Sequence, residues 1–155
     1  LPLPPVDPSV PIRPADQPAR LAALEAVVRD RTPIVPDLGI VLGSGLGDLA
    51  NHIEDGIAIP FADLPGWPAA TAPGHVGRLL LGLLEGRPVA MLQGRFHLYE
   101  GNDPGLVVQP VLLFRRLGAR AVLLTNAAGG LDPTFAAGTL RPSMNSELNS
   151  APSSV

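Results

Sequence analysis

Leu38-Gly39-Ile40-Val41-Leu42 runs straight into Gly43-Ser44-Gly45-Leu46-Gly47, a short apolar stretch breaking into a glycine-rich turn. Such a run, too short for a helix and closed by glycine, predicts a strand buried inside a sheet. A second apolar run, Ala121–Thr125, predicts another buried strand and ends at Asn126-Ala127-Ala128-Gly129-Gly130. Between them Pro104 opens a helical stretch whose expected apolar face comprises Leu106, Val107, Val111, Leu112 and Phe114. Arg115 and Arg116 suit its last turn, Gly118 its stop, and Pro110 predicts a kink. Strands that end in glycine-rich turns, with a helix between two of them, predict an α/β fold with a mostly parallel sheet. Ligands of such sheets lie beyond the carboxyl ends of the strands, where both turns fall.

Working outward, Arg78–Leu84 and Pro88–Leu92 are apolar runs around Glu85-Gly86-Arg87 and read as a hairpin, with Ile57–Phe61 a further short strand. Asp16 is placed to cap a helix, with Pro18 in its first turn and Leu21, Leu24, Val27 and Val28 at helical spacing through Arg31. Seven prolines fall in the first 18 residues (Pro2, Pro4, Pro5, Pro8, Pro11, Pro14, Pro18), so residues 1–15 are expected to form an extended, disordered arm. From Leu140 the chain turns Ser-, Asn- and Pro-rich and loses periodicity. The expected division is an arm over 1–15, one domain over 16–139 and an unstructured tail over 140–155.

Composition narrows the chemistry. The 155 residues are 46% hydrophobic and 16% charged with a net charge of −3, enough apolar material for a core and no basic footprint for nucleic acid. Every one of the eleven basic residues is arginine, which excludes Schiff-base chemistry and the P-loop lysine. Cysteine is absent, so thiolate nucleophiles and thiolate zinc sites are excluded and a reducing compartment fits. No apolar run approaches the roughly 18 residues of a membrane helix, and the Pro-rich Leu1–Val10 is not expected to act as a signal peptide. The expectation is a soluble, cytoplasmic protein without membrane or nucleic-acid partners.

Four segments carry chemistry. Gly43–Gly47 lets backbone N–H groups approach an anion and adds the Ser44 hydroxyl. A dinucleotide fingerprint would need glycine at position 48, where Asp48 would repel a pyrophosphate. A plain strand-end turn is the alternative. Pro73-Gly74-His75-Val76-Gly77-Arg78 exposes His75 between glycines, either for a ligand or simply to solvent. Gln93-Gly94-Arg95-Phe96-His97-Leu98-Tyr99-Glu100-Gly101, if extended, puts Arg95, His97 and Tyr99 on one face: an anion fork, a titratable donor and an aromatic platform. Glu100 is placed to orient His97 or hold it protonated, the alternative being a surface pair with Arg95. Asn126–Gly130 combines small residues with the Asn126 amide. The three histidines lack metal-ligand spacing, and Ser44 does not lie in a GxSxG elbow.

Taken together and in this order, GSGLG, PGHVGR, QGRFHLYEG and TNAAGGL resemble the trimeric type of purine nucleoside phosphorylase, over about Arg20 to Gly138. The QGRFHLYEG segment sets the chain apart from methylthioadenosine phosphorylases. The resemblance implies a phosphorylase-type α/β domain with a mostly parallel or mixed central sheet flanked by helices. It implies a homotrimer that uses inorganic phosphate, without a cofactor, to convert purine nucleosides into free base and pentose 1-phosphate in purine salvage. Carried over by position, it implies a phosphate site of Ser44, His75, Arg95, His97 and the backbone at Ala127, with Arg95 and His97 catalytic. Tyr99 would face the ribose, and Asn126, Ala128 and Gly129 the nucleoside. In the family a further apolar strand, a His- and Asn-containing loop and a long remainder with the purine-holding groups follow the segment matching Phe135–Gly138. Leu140–Val155 matches none of it. The expectation is therefore a sheet incomplete on its C-terminal side, in a truncated or frame-shifted product that is inactive alone. The alternatives are a non-catalytic phosphate-binding fragment or assembly module and, on the glycine-rich turn alone, a nucleotide-binding regulatory protein.

Overall fold

A computed structural model of the chain describes residues 11–68 and 76–141. Its first helix, α1 (Gln17–Arg31), follows a 3-10 turn at Pro14–Asp16 and buries Leu21, Leu24 and Val28. Asp16 occupies the cap position without capping. Its carboxylate instead takes the Arg13 fork at 2.9 and 3.1 Å, and that hydrogen bond holds it below the usual carboxylate range. Just upstream, Ile12 is only 8% exposed and joins the main core cluster. The expected arm over 1–15 is thus corrected for its last residues: one apolar side chain among the prolines is enough to fasten this stretch to the domain.

Among the described residues, five strands form one sheet: β1 (Leu38–Leu42), β2 (Glu54–Pro60), β3 (Arg78–Leu84), β4 (Arg87–Gln93) and β5 (Ala121–Leu124). Their order is β2-β3-β4-β1-β5. β1 runs parallel to β4 and β5, with Ile40 opposite Met91 on one side and Leu123 on the other. β2 and β3 are antiparallel, as are β3 and β4, so the sheet is mixed. The hairpin causes the mixing. Glu85 and Gly86 both hold positive φ (49° and 72°), the two-residue type I′ turn that matches strand twist, and this sends β4 straight back along β3.

Alternation along the strands makes two apolar faces. Val41, Leu79, Leu81, Ala90 and Leu92 lie beneath α1 and α2 (Pro104–Leu117) in the larger cluster. Ile40, Leu42, Leu80, Val89 and Met91 face the other way, beneath Ala50 of the 3-10 turn Gly47–His52. The buried face of α2 differs from expectation. Leu106, Gln109, Pro110, Leu113, Phe114 and Leu117 are buried, whereas Val111 and Leu112 point outward. That stripe follows i, i+3, i+7 and i+11 spacing from Leu106. β5 is corrected likewise: its four residues are exposed, Leu124 by 64%, because among the described residues it pairs with β1 alone at the sheet edge.

Gly39 in β1 sits directly below α2. A Cβ there would overlap the Phe114 ring, with Cδ2 nearest and Cγ at 2.7 Å. Gly39→Ala is therefore expected to destabilise the domain by about 1–3 kcal/mol through overpacking. An unchanged thermal midpoint would contradict this seating of α2 on β1.

Candidate active site

Parallel pairing of β1 with β4 brings two loops together at the carboxyl ends of these strands. The chain leaves β1 through a tight turn in which the Leu46 N–H reaches the Gly43 carbonyl at 3.2 Å. Gly45 holds φ +84° at its third position, as a type II turn requires. Ser44 and Gly45 are exposed, and among the described residues their N–H groups make no backbone hydrogen bond. Beside it, β4 ends at Gln93, and the chain then passes through Gly94, at φ +101°, to Arg95 and His97.

These loops face one another across a cleft of about 150 Å3, lined among others by Ser44, Gly45, Gln93, Arg95 and His97. Arg95 is half-buried. Its Nη1 donates to the Thr125 carbonyl at 3.2 Å, and among the described residues no carboxylate pairs with it. A guanidinium held on one side and unneutralised on the other is suited to bind an oxyanion through its remaining donors. With the backbone N–H groups of the turn and the Ser44 hydroxyl, the cleft concentrates donors and offers an anion little repulsion.

Three of the predicted phosphate residues thus converge: Ser44, Arg95 and His97. His75 lies outside the described residues. The expected alternation holds across Arg95, Phe96 and His97, with Phe96 buried on the opposite side, but a 3-10 turn at Leu98–Glu100 ends it. Tyr99 therefore does not line the cleft. It stacks on the His97 ring at 4.6 Å and 20° and is 82% exposed. The Glu100 carboxylate accepts from the His97 backbone N–H at 3.0 Å and from Asn102 Nδ2 at 3.2 Å, so it fixes the loop's main chain. Asn126, Ala127, Ala128 and Gly129 are exposed and outside the cleft lining; the segment reaches a cleft residue only through Thr125, whose carbonyl accepts from Arg95.

Three supporting residues were not singled out from sequence. Gln93 Nε2 donates to the Gly47 carbonyl at 2.9 Å, and its Oε1 accepts from Arg78 Nε at 2.6 Å, which ties the two loops together. The Thr125 hydroxyl accepts from the Gly43 N–H at 2.7 Å and donates to the Val41 carbonyl at 3.0 Å. Arg78 and Gln93 lie inside quoted motifs, so their positions were visible but their partners were not.

A donor-lined cleft at the carboxyl ends of parallel strands, in a mixed α/β sheet, sits where proteins of the α/β class bind their ligands. Residues 37–141 match the model of the Phosphorylase superfamily, and the chain belongs to that family. Purine nucleoside phosphorylase 1 of Geobacillus stearothermophilus is 45% identical over 113 residues, which cover 73% of this chain and 41% of the relative. The purine nucleoside phosphorylase of Bos taurus is 45% identical over 105 residues, covering 68% and 36%. Among solved structures, a purine nucleoside phosphorylase in complex with ribose-1-phosphate superposes with a TM-score of 0.70 at 40% identity, over 76% of this chain and 43% of that one. The Schistosoma mansoni enzyme in complex with inosine gives 0.70 at 36% identity, over 83% and 43%. The chain spans about two fifths of the length of these relatives.

Proposed function

We propose that this chain carries the phosphate half of a purine nucleoside phosphorylase, which converts a purine (deoxy)ribonucleoside and inorganic phosphate into free base and (deoxy)ribose 1-phosphate. The observation that carries the reading is the convergence of Arg95, His97 and Ser44 on one cleft, with no carboxylate beside Arg95 among the described residues. It is supported by relatives named purine nucleoside phosphorylase and by solved relatives holding ribose-1-phosphate or inosine. In this reaction a phosphate oxygen forms a bond to C1′ as the bond from C1′ to the purine nitrogen breaks. The bonding pair leaves with the base, through an oxocarbenium-like transition state. Arg95 would hold two phosphate oxygens, while Ser44, His97 and the turn amides orient a third toward C1′. Catalysis here is positioning and charge stabilisation, with no cofactor and phosphate as co-substrate. Tyr99, exposed beside His97, would lie against the pentose, and Asn126, Ala128 and Gly129 would approach the nucleoside. A cytoplasmic homotrimer acting in purine salvage belongs to the same reading.

The leaving base gains negative charge and needs a donor at its ring. Among the described residues, no acid lines the cleft. A polypeptide of these 155 residues is thus expected to bind phosphate yet release negligible hypoxanthine from inosine. A chimera joining it to the remainder of the Geobacillus stearothermophilus relative is expected to release hypoxanthine in a phosphate-dependent way, and to lose this with Arg95→Ala. Phosphate-independent release would overturn phosphorolysis. Equal turnover by the short polypeptide would show that the cleft already contains what the base needs, and would leave the non-catalytic reading without support.

A further inference from the structure

Phe96 separates the two cleft side chains Arg95 and His97, and its own surroundings are unusually well defined. Its ring lies 5.3 Å from that of Trp67 at 84° and 5.2 Å from that of Phe61 at 52°, while Phe61 and Trp67 meet at 5.1 Å and 87°. All three rings are buried. Edge-to-face packing of this kind fixes ring orientation as well as burying area.

The trio is fastened from one side by a polar relay. Trp67 Nε1 donates to Gln109 Oε1 at 3.0 Å, Gln109 Nε2 donates to Gln17 Oε1 at 3.1 Å, and Gln17 Nε2 donates to the Gly105 carbonyl. Gln109 is 1% exposed in the middle of α2, where an apolar residue would suit the buried stripe better. A buried amide with both ends satisfied specifies one arrangement of its partners, because any other strands a donor or acceptor. Gln109 lines no part of the cleft. Its reach is indirect: amide to indole, indole edge to Phe96, and Phe96 to the backbone that aims Arg95 and His97 in the opposite direction.

We infer that Gln109, acting through Trp67 and Phe96, is a positioning residue for the phosphate site. The inference rests on the phosphate reading of the cleft and adds to it a specific support on α2. Gln109→Met keeps the volume and removes the acceptor. Trp67→Phe keeps a ring and removes the donor, breaking the same link with less risk to folding. Each is expected to weaken phosphate binding roughly ten-fold, with little further loss when the two are combined. Added to Arg95→Ala, either change is expected to cost less phosphate affinity than it does in the parent, since one of the two groups it positions is gone.

The experiment is calorimetric titration of the chain and these variants with inorganic phosphate, at a temperature where circular dichroism shows the parent fold. Trp67 is the single tryptophan of the chain, so its emission offers a second signature. Phosphate is expected to shift it in the parent and not in Gln109→Met. Parent-like phosphate affinity in Trp67→Phe, or in a folded Gln109→Met, overturns the positioning role while leaving the phosphate site intact. So does an undiminished penalty in the Arg95→Ala background, which would mark a general loss of structure. Absence of phosphate binding by the parent overturns the phosphate reading and this inference together.

Discussion

Arg95→Ala is expected to weaken phosphate binding by roughly ten- to a hundred-fold, the equivalent of a charge-assisted fork worth about 1.5–3 kcal/mol. The size follows from two features of the site. Arg95 already spends one donor on the Thr125 carbonyl, so its guanidinium is oriented before any anion arrives. It also carries the only guanidinium charge lining the described cleft, so no neighbouring arginine takes over its role. The same substitution is expected to change stability little, because the bond lost to Thr125 is a single half-buried one. Titration calorimetry beside a thermal melt separates the two quantities. Parent-like phosphate affinity would remove Arg95 from the site.

Gly43→Ala is expected to do more damage than any other single methyl in this region. A Cβ at Gly43 would overlap the Thr125 carbonyl oxygen and lie 2.8 Å from Asn126 Cα. Those are backbone atoms, which cannot swing aside as a side chain does. Relief requires β5 to separate from β1 at its carboxyl end, breaking the Gly43 N–H bond to Thr125 Oγ1 and displacing the carbonyl that steadies Arg95. A loss of about 3 kcal/mol, at the upper end of overpacking costs, is expected together with loss of phosphate binding. Gly45→Ala is the matched control. Nothing lies within 4 Å of a Cβ there, and only the left-handed φ of +84° resists it, at about 1 kcal/mol. Urea denaturation of the pair checks the order. Equal destabilisation would mean that the β1–β5 contact is looser than described.

Much of this architecture is legible in the amino-acid order, for reasons that can be named residue by residue. Glycine after Glu85 between two apolar runs specifies the β3–β4 hairpin, and the Leu38–Leu42 run with its glycine turn specifies β1 and half of the cleft. The buried face of α2 escaped because Val107, Val108, Val111, Leu112 and Leu113 make the helix apolar nearly all round, so periodicity has little contrast to offer. Its most informative residue is polar: Gln109, whose burial depends on Trp67, 42 positions away in sequence. Ala121–Leu124 misled for a related reason, since an apolar tetrapeptide reads alike whether its strand lies inside a sheet or at its edge. In the site, Ser44, Arg95 and His97 announced themselves by residue type and spacing. Gln93 and Thr125 did not, because bridging two loops is a property of tertiary pairing that no local pattern encodes.

The β3–β4 hairpin, with its ends only two residues apart, also sets a sequence of events in time. Its pairing requires closure of the smallest possible loop and can form within microseconds, whereas β1 must find β4 across some fifty residues and β5 across more than eighty. Ser44, Arg95 and Thr125 become neighbours only after both parallel ladders have closed, so the anion cleft is among the last features to exist during folding. On the phosphate reading, the anion is then expected to slow unfolding, lengthening the lifetime of molecules already assembled, and to leave the rate at which new ones form unchanged; stopped-flow refolding and unfolding with and without phosphate checks this.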